Sequence, residues 1–150
     1  MYVILVGGGK VGYYLTRTLL AEGFEVTLIE KERAVFEKLF QEFKDSVVLG
    51  DGTDIRLLHN SGAGRADLLV SITGHDQDNL VACQLAKRKF GVGHTIARVN
   101  NPKNENILRR LGVDTTLSST RIIFNLIEQE VAAQVSRLQE TEAGSRGING

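Results

Sequence analysis

Tyr2-Val3-Ile4-Leu5-Val6 runs straight into Gly7-Gly8-Gly9-Lys10-Val11-Gly12, and the fold turns on this junction. A short apolar run rich in β-branched residues reads as a buried strand. The helical spacing of Val11, Leu15, Leu19 and Leu20 then predicts a helix from Lys10 to Glu22, with Gly23 suited to follow its last turn. Between strand and helix, the Gly7-x-Gly9-x-x-Gly12 pattern has a physical meaning. The first glycine makes the turn, the second lets the backbone approach a pyrophosphate, and the third lets helix and strand pack closely. Free N–H groups at the helix start then meet the phosphate charge. Glycine-rich turns also serve packing alone, so context decides: strand before, helix after, and an acid ending the next strand.

That acid is Glu30, which closes the predicted strand Glu25-Val-Thr-Leu-Ile-Glu30 and lies 18 residues beyond Gly12. A carboxylate there accepts hydrogen bonds from both ribose hydroxyls, as in proteins that bind NAD rather than NADP. The plainer reading is a surface glutamate at a strand end. Lys31 beside it blurs the preference, since a cation tolerates a 2′-phosphate.

Working outward, the same alternation recurs. Val35, Phe36, Leu39, Phe40 and Phe43 mark a second helix, and Ser46 to Leu49 a third strand. A helix ending near Ser61-Gly62 follows, then a fourth strand from Leu68 to Ile72 and a helix from Asp76 to about Lys89. Thr95 to Val99 is a fifth strand; a short helix after Pro102 stops at Gly112, and Val113 to Leu117 is a sixth strand. Strands alternating with helices at this rhythm imply βαβ units and a parallel sheet covered on both faces. The fold class expected is therefore α/β, a Rossmann-type doubly wound six-stranded parallel sheet with a C-terminal amphipathic helix.

That last helix is predicted over Arg121 to Leu138, where Ile123, Leu126, Ile127, Val131, Ala132, Val135 and Leu138 form a stripe. Two readings stand: it packs back on the sheet, or it leaves the body and packs on a second subunit. Glu140 to Gly150 is polar and glycine-rich, so the domain is expected to span 1–139 and the tail 140–150 to be disordered.

Bulk composition narrows the function classes. A chain of 150 residues suits one domain with a real core. Its 18 basic and 18 acidic residues balance, which argues against a nucleic-acid partner, whose phosphates reward a basic excess. One cysteine, Cys83, excludes an internal disulfide and gives no sign of an oxidising compartment. The apolar N-terminal run is too short to span a bilayer and has no basic leader. A cytoplasmic protein without membrane insertion is expected.

The remaining candidates sit at predicted strand ends. In Gly50-Asp51-Gly52-Thr53, Asp51 suits an adenine amino group or a ribose, while Thr53 equally suits a helix N-cap. Thr73 and Gly74, after the fourth strand, border the same crevice, and Asp76 reads as a helix cap rather than a catalytic acid. Arg98, at the end of the fifth strand, serves either a phosphate or a salt bridge. Lys10 points outward from the glycine turn, towards a terminal phosphate, a neighbouring subunit's ligand, or solvent alone. His59, His75 and His94 do not assemble, and only His75 lies on the ligand side, with no metal-ligand partner at useful spacing. Neither a catalytic residue nor a metal site is assigned.

Taken in order, Ile-Leu-Val-Gly-Gly-Gly-Lys-Val-Gly, Leu-Ile-Glu-Lys and Leu-Gly-Asp-Gly-Thr-Asp resemble the N-terminal domain of Trk/Ktr potassium-uptake regulators. So do Ala66-Asp67 to Asn79, Ile96 to Pro102, and Arg110-Leu-Gly-Val-Asp114, and the match extends from residue 1 to about 135. The resemblance implies an RCK/KTN (TrkA-N) domain that binds NAD(H) or adenine nucleotides such as ATP and ADP. It implies a homo-oligomer, a dimer and in many relatives an octameric ring, at the cytoplasmic face of a potassium channel or transporter. Nucleotide exchange in such rings gates the membrane partner. Carried over by motif, Gly7, Gly8, Gly9, Lys10 and Val11 hold the phosphates, with Gly12 closing the turn, and Glu30 holds the ribose with Lys31 beside it. Asp51, Gly52 and Thr53 border the adenine, Thr73 and Gly74 line the crevice, and Arg98 lies near the ligand. Two departures stand out. Ser118-Ser119-Thr120 replaces a Pro-Glu pair of some relatives, removing a carboxylate that contributes to cation activation, and the second ligand-binding domain of full-length regulators is absent from the sequence.

The expected function is a non-enzymatic nucleotide sensor regulating potassium transport. An NAD-dependent oxidoreductase is the alternative, though one helix and a tail after the sixth strand leave no substrate domain. A scaffold holding a structural nucleotide is the third reading.

Overall fold

The computed structural model describes residues 1–148. Six strands form one parallel sheet: β1 (Tyr2–Val6), β2 (Glu25–Glu30), β3 (Val47–Leu49), β4 (Leu68–Ser71), β5 (His94–Val99) and β6 (Thr115–Ser118), in the order β3-β2-β1-β4-β5-β6. Between them lie α1 (Lys10–Ala21), α2 (Arg33–Phe43), α3 (Ile55–Asn60), α4 (Asp76–Phe90) and α5 (Glu105–Arg110). The sheet is the doubly wound Rossmann-type arrangement expected from the sequence.

β1 sits at the centre, paired with β2 from Tyr2↔Glu25 to Val6↔Ile29 and with β4 from Val3↔Leu68 to Val6↔Ser71. All five of its residues are buried, which is why it reads as an unbroken apolar run rather than an alternation. Successive side chains still point to opposite faces. Val3 and Leu5 join Leu28, Leu39 and Phe43 in a core that includes residues of α1 and α2. Tyr2, Ile4 and Val6 join Leu58, Ala82, Cys83, Ala86 and Leu108 in the other, beneath α3, α4 and α5. Cys83 is fully buried there, and burial, with Asp114 nearby, pushes its thiol up to about 12.

Helix ends follow local chemistry. Gly23, at φ +87°, ends α1 as expected, with Phe24 N–H donating to Leu19 at 3.0 Å. α4 carries Asp76 and Asp78 in its first turn and Lys87, Arg88 and Lys89 in its last, matching its macrodipole. Two strands are shorter at their start than the sequence suggests. A 3₁₀ turn, Lys44–Ser46, takes the residue before β3. Before β6, Asp114 turns aside to accept from the Thr95 N–H at 2.9 Å and to pair with Lys87.

Met1–Ser118 forms one compact unit, and a second begins at Ser119. The latter is a single helix, α6 (Ser119–Ile148), longer than the stretch predicted. The expected boundary at 139 falls inside this continuous helix, and 140–148 is helical rather than disordered; residues 149 and 150 lie outside the described residues. Gln139-Glu140-Thr141-Glu142-Ala143 explains the extension, since all but threonine are strong helix formers. Ile123, Leu126, Ile127, Val131, Val135 and Leu138 are all exposed. No helix among the described residues is long and apolar enough to cross a membrane.

Candidate functional site

The strand order reverses between β1 and β4, and the loops leaving these two neighbours part company at their carboxyl ends. Open α/β sheets place ligands at this switch point. A crevice of about 620 Å³ lies there, a size suited to a nucleotide-sized ligand.

The turn after β1 forms one wall. Gly7 adopts φ +111°, where a side chain would be strained, and an added methyl there would stand 3.1 Å from the Ile72 carbonyl. At Gly12 an added methyl would strike the Gly7 carbonyl oxygen, so this glycine fixes the close approach of α1 to β1. Gly9 differs: nothing lies within 4 Å of where its side chain would be. It is the cap residue of α1 and gives no side-chain hydrogen bond, and the first turn of α1 holds no acid. The leading N–H groups of α1 are therefore available to an anion.

Opposite, Glu30 Oε1 accepts from the Gly8 N–H at 3.0 Å and Oε2 from the Glu32 N–H at 2.9 Å. A carboxylate offers about four acceptor positions, so ribose hydroxyls can still donate to it. Asp51 Oδ1 accepts from the Thr53 N–H at 2.9 Å and hydroxyl at 2.7 Å, and Lys31 Nζ stands 3.5 Å from Oδ2. The Thr53 hydroxyl and N–H, with Lys31, hold the Asp51 carboxyl below the usual carboxylate range. Thr53 is not the N-cap of α3; Asp54 is, accepting from the Arg56 N–H at 2.8 Å.

Thr73, Gly74 and Arg98 form the remaining wall. Arg98 Nε is buried and finds no acceptor among the described residues. Beneath them Asp76 acts differently from a cap of its own helix. Its Oδ1 accepts from the Asn100 N–H at 2.6 Å and side-chain amide at 3.0 Å, and its Oδ2 from the Asn101 N–H at 3.0 Å and Asn104 at 2.9 Å. Burial works to raise its pKa, but the Asn100, Asn101 and Asn104 donors outweigh it and hold the carboxyl below its ordinary value.

Of the sequence-derived site residues, Gly7, Gly8, Gly9, Glu30, Lys31, Asp51, Gly52, Thr53, Thr73, Gly74 and Arg98 come together around the crevice. Lys10, Val11 and Gly12 do not line it. Lys10 and Val11 are exposed, and Gly12 is buried against the turn. Residues not assigned from sequence complete the lining: Val6, Ile29, Glu32, Val35, Gly50, Ile72, His75 and Asp78. Their common signal is position, within a residue of a strand's carboxyl end or in the cap and first turn of the following helix. Among the described residues no group of three histidine, cysteine or acidic side chains could hold a metal.

Comparison with known proteins agrees with this architecture. The TrkA-N domain model matches residues 3–119. A Trk system potassium uptake protein TrkA homolog from Methanothermobacter thermautotrophicus is 37% identical over 129 residues, covering 86% of this chain and 59% of that protein. The TrkA protein of Mycobacterium tuberculosis is 34% identical over 156 aligned positions, covering 99% of this chain and 68% of its own length. Among solved structures, the TrkA-N domain of the inner membrane protein ybaL from Escherichia coli superposes with a TM-score of 0.77 at 21% identity, covering 85% of this chain and 94% of that one. The Kef C-terminal domain of Shewanella denitrificans, solved with AMP, has a TM-score of 0.72 at 23% identity and covers 90% and 82%. The GsuK channel bound to NAD gives 0.69 at 23%, covering 91% of this chain and 25% of that one. At these identities the structural likeness speaks to fold, whereas the family model and the closer sequence relatives speak to descent. From β1 to the first residue of α6, the chain belongs to the TrkA-N domain family.

Proposed function

We propose that this chain is a nucleotide-sensing regulatory subunit of a potassium channel or transporter. It acts at the cytoplasmic face of the membrane through that partner and binds NAD(H) or ATP/ADP in the crevice. The observation that carries the reading is the pairing of an open, acid-free α1 N-terminus at Gly9 with the unpartnered Arg98 Nε across one switch-point crevice. Two phosphate-seeking groups flank a carboxylate, Glu30, suited to a ribose. The names of the relatives, potassium uptake proteins, and the NAD- and AMP-bound neighbours point the same way.

In this reading the Gly7–Val11 turn holds phosphates through its backbone, Glu30 takes the ribose hydroxyls, and Asp51 to Thr53 border the adenine. Lys31 neutralises Asp51. Thr73, Gly74 and Arg98 close the far side. The subunit works as a homo-oligomer, a dimer or an octameric ring, and it is not an enzyme. A nucleotide gates only if it binds two assembly conformations with different affinity. A tenfold difference shifts their equilibrium by about 1.4 kcal/mol.

Calorimetric titration of one preparation with NADH, NAD, ATP and ADP, with mass measured before and after, tests this directly. Saturable binding with a change in assembly or transport is expected. No binding by any of the four would end the proposal. Binding that leaves assembly and transport unchanged would favour a scaffold, and steady NADH oxidation with a panel of small carbonyl compounds would favour an oxidoreductase.

A further inference from the structure

The β4–β5 ladder ends at the pair Ser71↔Ala97. Beyond it the chain after β4 turns along the crevice at Thr73 and Gly74, while β5 continues through Arg98. Asn79, on α4 and fully buried, bridges the gap. Its Oδ1 accepts from the Ser71 hydroxyl at 2.9 Å, the Thr73 N–H at 3.0 Å and the Thr73 hydroxyl at 2.6 Å. Its Nδ2 donates to the carbonyls of Thr73 at 3.1 Å and Arg98 at 2.9 Å. A side-chain amide thus stands where the next peptide unit of the ladder would be. It ties two crevice-lining stretches to one point.

Asn100 adds a second hold. Its Nδ2 donates to the same Thr73 carbonyl at 3.0 Å and to Asp76 Oδ1 at 3.0 Å. Neither asparagine lines the crevice. A satisfied buried amide often serves stability alone. Here both donations of Asn79 end on the backbone of residues that form the crevice wall, which gives it a further consequence.

Building on the nucleotide reading above, we propose that Asn79, assisted by Asn100, is a positioning residue for the bound nucleotide. It fixes the Thr73–Gly74 turn and the Arg98 backbone so that the Arg98 guanidinium stays in the crevice at the phosphates.

Asn79→Asp is nearly isosteric. It keeps the acceptor but replaces both donations with an oxygen facing two carbonyls. NADH and ATP affinity, measured by calorimetry on the full chain, is expected to fall about tenfold, the effect of leaving such partners unmade. A double-mutant cycle with Arg98→Ala separates positioning from general support, because groups acting together are not additive. The double variant is expected to lose far less than the product of the single losses. In the unliganded variant the Thr73 carbonyl loses the Asn79 donor, so the turn loosens and amide exchange should quicken at Thr73 while Val70 and Ala97 keep their protection. Asn100→Ala changes a half-buried residue and serves as the second variant, with an expected loss of about threefold, the worth of the one of its two side-chain hydrogen bonds that holds the Thr73 carbonyl. If Asn79→Asp does not fold, the same cycle run on Asn100→Ala decides. Wild-type affinity in the folded variant, or strictly multiplicative losses with Arg98→Ala, overturns the proposal. A wild-type protein that binds no nucleotide overturns the functional reading as well, and that failure shows before any variant is made.

Discussion

Replacing Gly12 by alanine and Gly9 by serine separates two tasks of the glycine turn. An added methyl at Gly12 would sit well under 3.0 Å from the Gly7 carbonyl oxygen, and that obstacle is backbone, which cannot swing aside. A carbon and a carbonyl oxygen in close contact stand about 3.3–3.6 Å apart, so the first turn of α1 must lift from the Gly7 turn by roughly 1.5 Å. Overpacking of this kind costs about 1–3 kcal/mol. In a domain of this size each kcal/mol moves Tm by about 2–4 °C. Gly12→Ala is therefore expected to lower the Tm of the unliganded protein by about 2–12 °C. Gly9 has φ −69°, open to any residue, and empty space beside it. Serine is also slightly preferred over glycine at a helix cap, so Gly9→Ser should leave Tm within about 2 °C or raise it. Its hydroxyl would occupy the space and the N–H groups offered to a phosphate, and nucleotide affinity should drop about tenfold or more. Thermal melts without ligand and calorimetry with NADH and ATP read the two effects independently. An unchanged melt for Gly12→Ala would refute the packing argument, and undiminished affinity in Gly9→Ser would refute the phosphate path.

Other expectations are narrower. Asp76 has a folded pKa below its unfolded value of about 3.9, so its stabilising contribution is complete above that value and is lost as pH falls through the folded pKa. Urea unfolding between about pH 5 and 2 should therefore show a steeper loss of stability in the wild type than in Asp76→Asn, and parallel curves would contradict the clamp. Lys10→Gln should weaken ATP more than NAD if this exposed lysine reaches a terminal phosphate from its own or a neighbouring subunit; equal losses, or none, remove that role. Changing Ile123, Ile127 and Val131 together to serine should shift a dimer towards monomer in sedimentation, and an unchanged mass would show that the exposed α6 stripe does not mediate assembly.

The sheet was legible because its signals are local. β1 is an unbroken apolar run beside a glycine turn, β2 ends on Glu30, and Gly23 stops α1 where the periodicity stops. Residues at the ends of β1, β2, β4 and β5 were legible as crevice residues because topology brings strand carboxyl ends together. Asn79 and Asp76 were not legible as organisers of that crevice. Their partners lie up to 28 residues away, and nothing in local spacing marks a buried amide or a carboxylate aimed at another loop. Lys10 was read as pointing outward and is exposed, and Val11, placed in the site through the motif, is exposed as well. A motif defines the path of the backbone better than the direction of each side chain. The tail misled for the opposite reason: Gly144, Gly147 and Gly150 suggested disorder, while helix formers from Gln139 to Ala143 carry α6 through to Ile148.

Cys83 has one more consequence. It is the only cysteine, fully buried, and its thiol donates towards the Ile96 carbonyl at 3.6 Å. With its pKa pushed up to about 12, it is neither ionised nor reachable at neutral pH. The chain is in effect silent to thiol reagents. A cysteine introduced at the crevice rim or along α6 would be its one addressable label, so distances and accessibilities can be followed during nucleotide binding with the native core left intact.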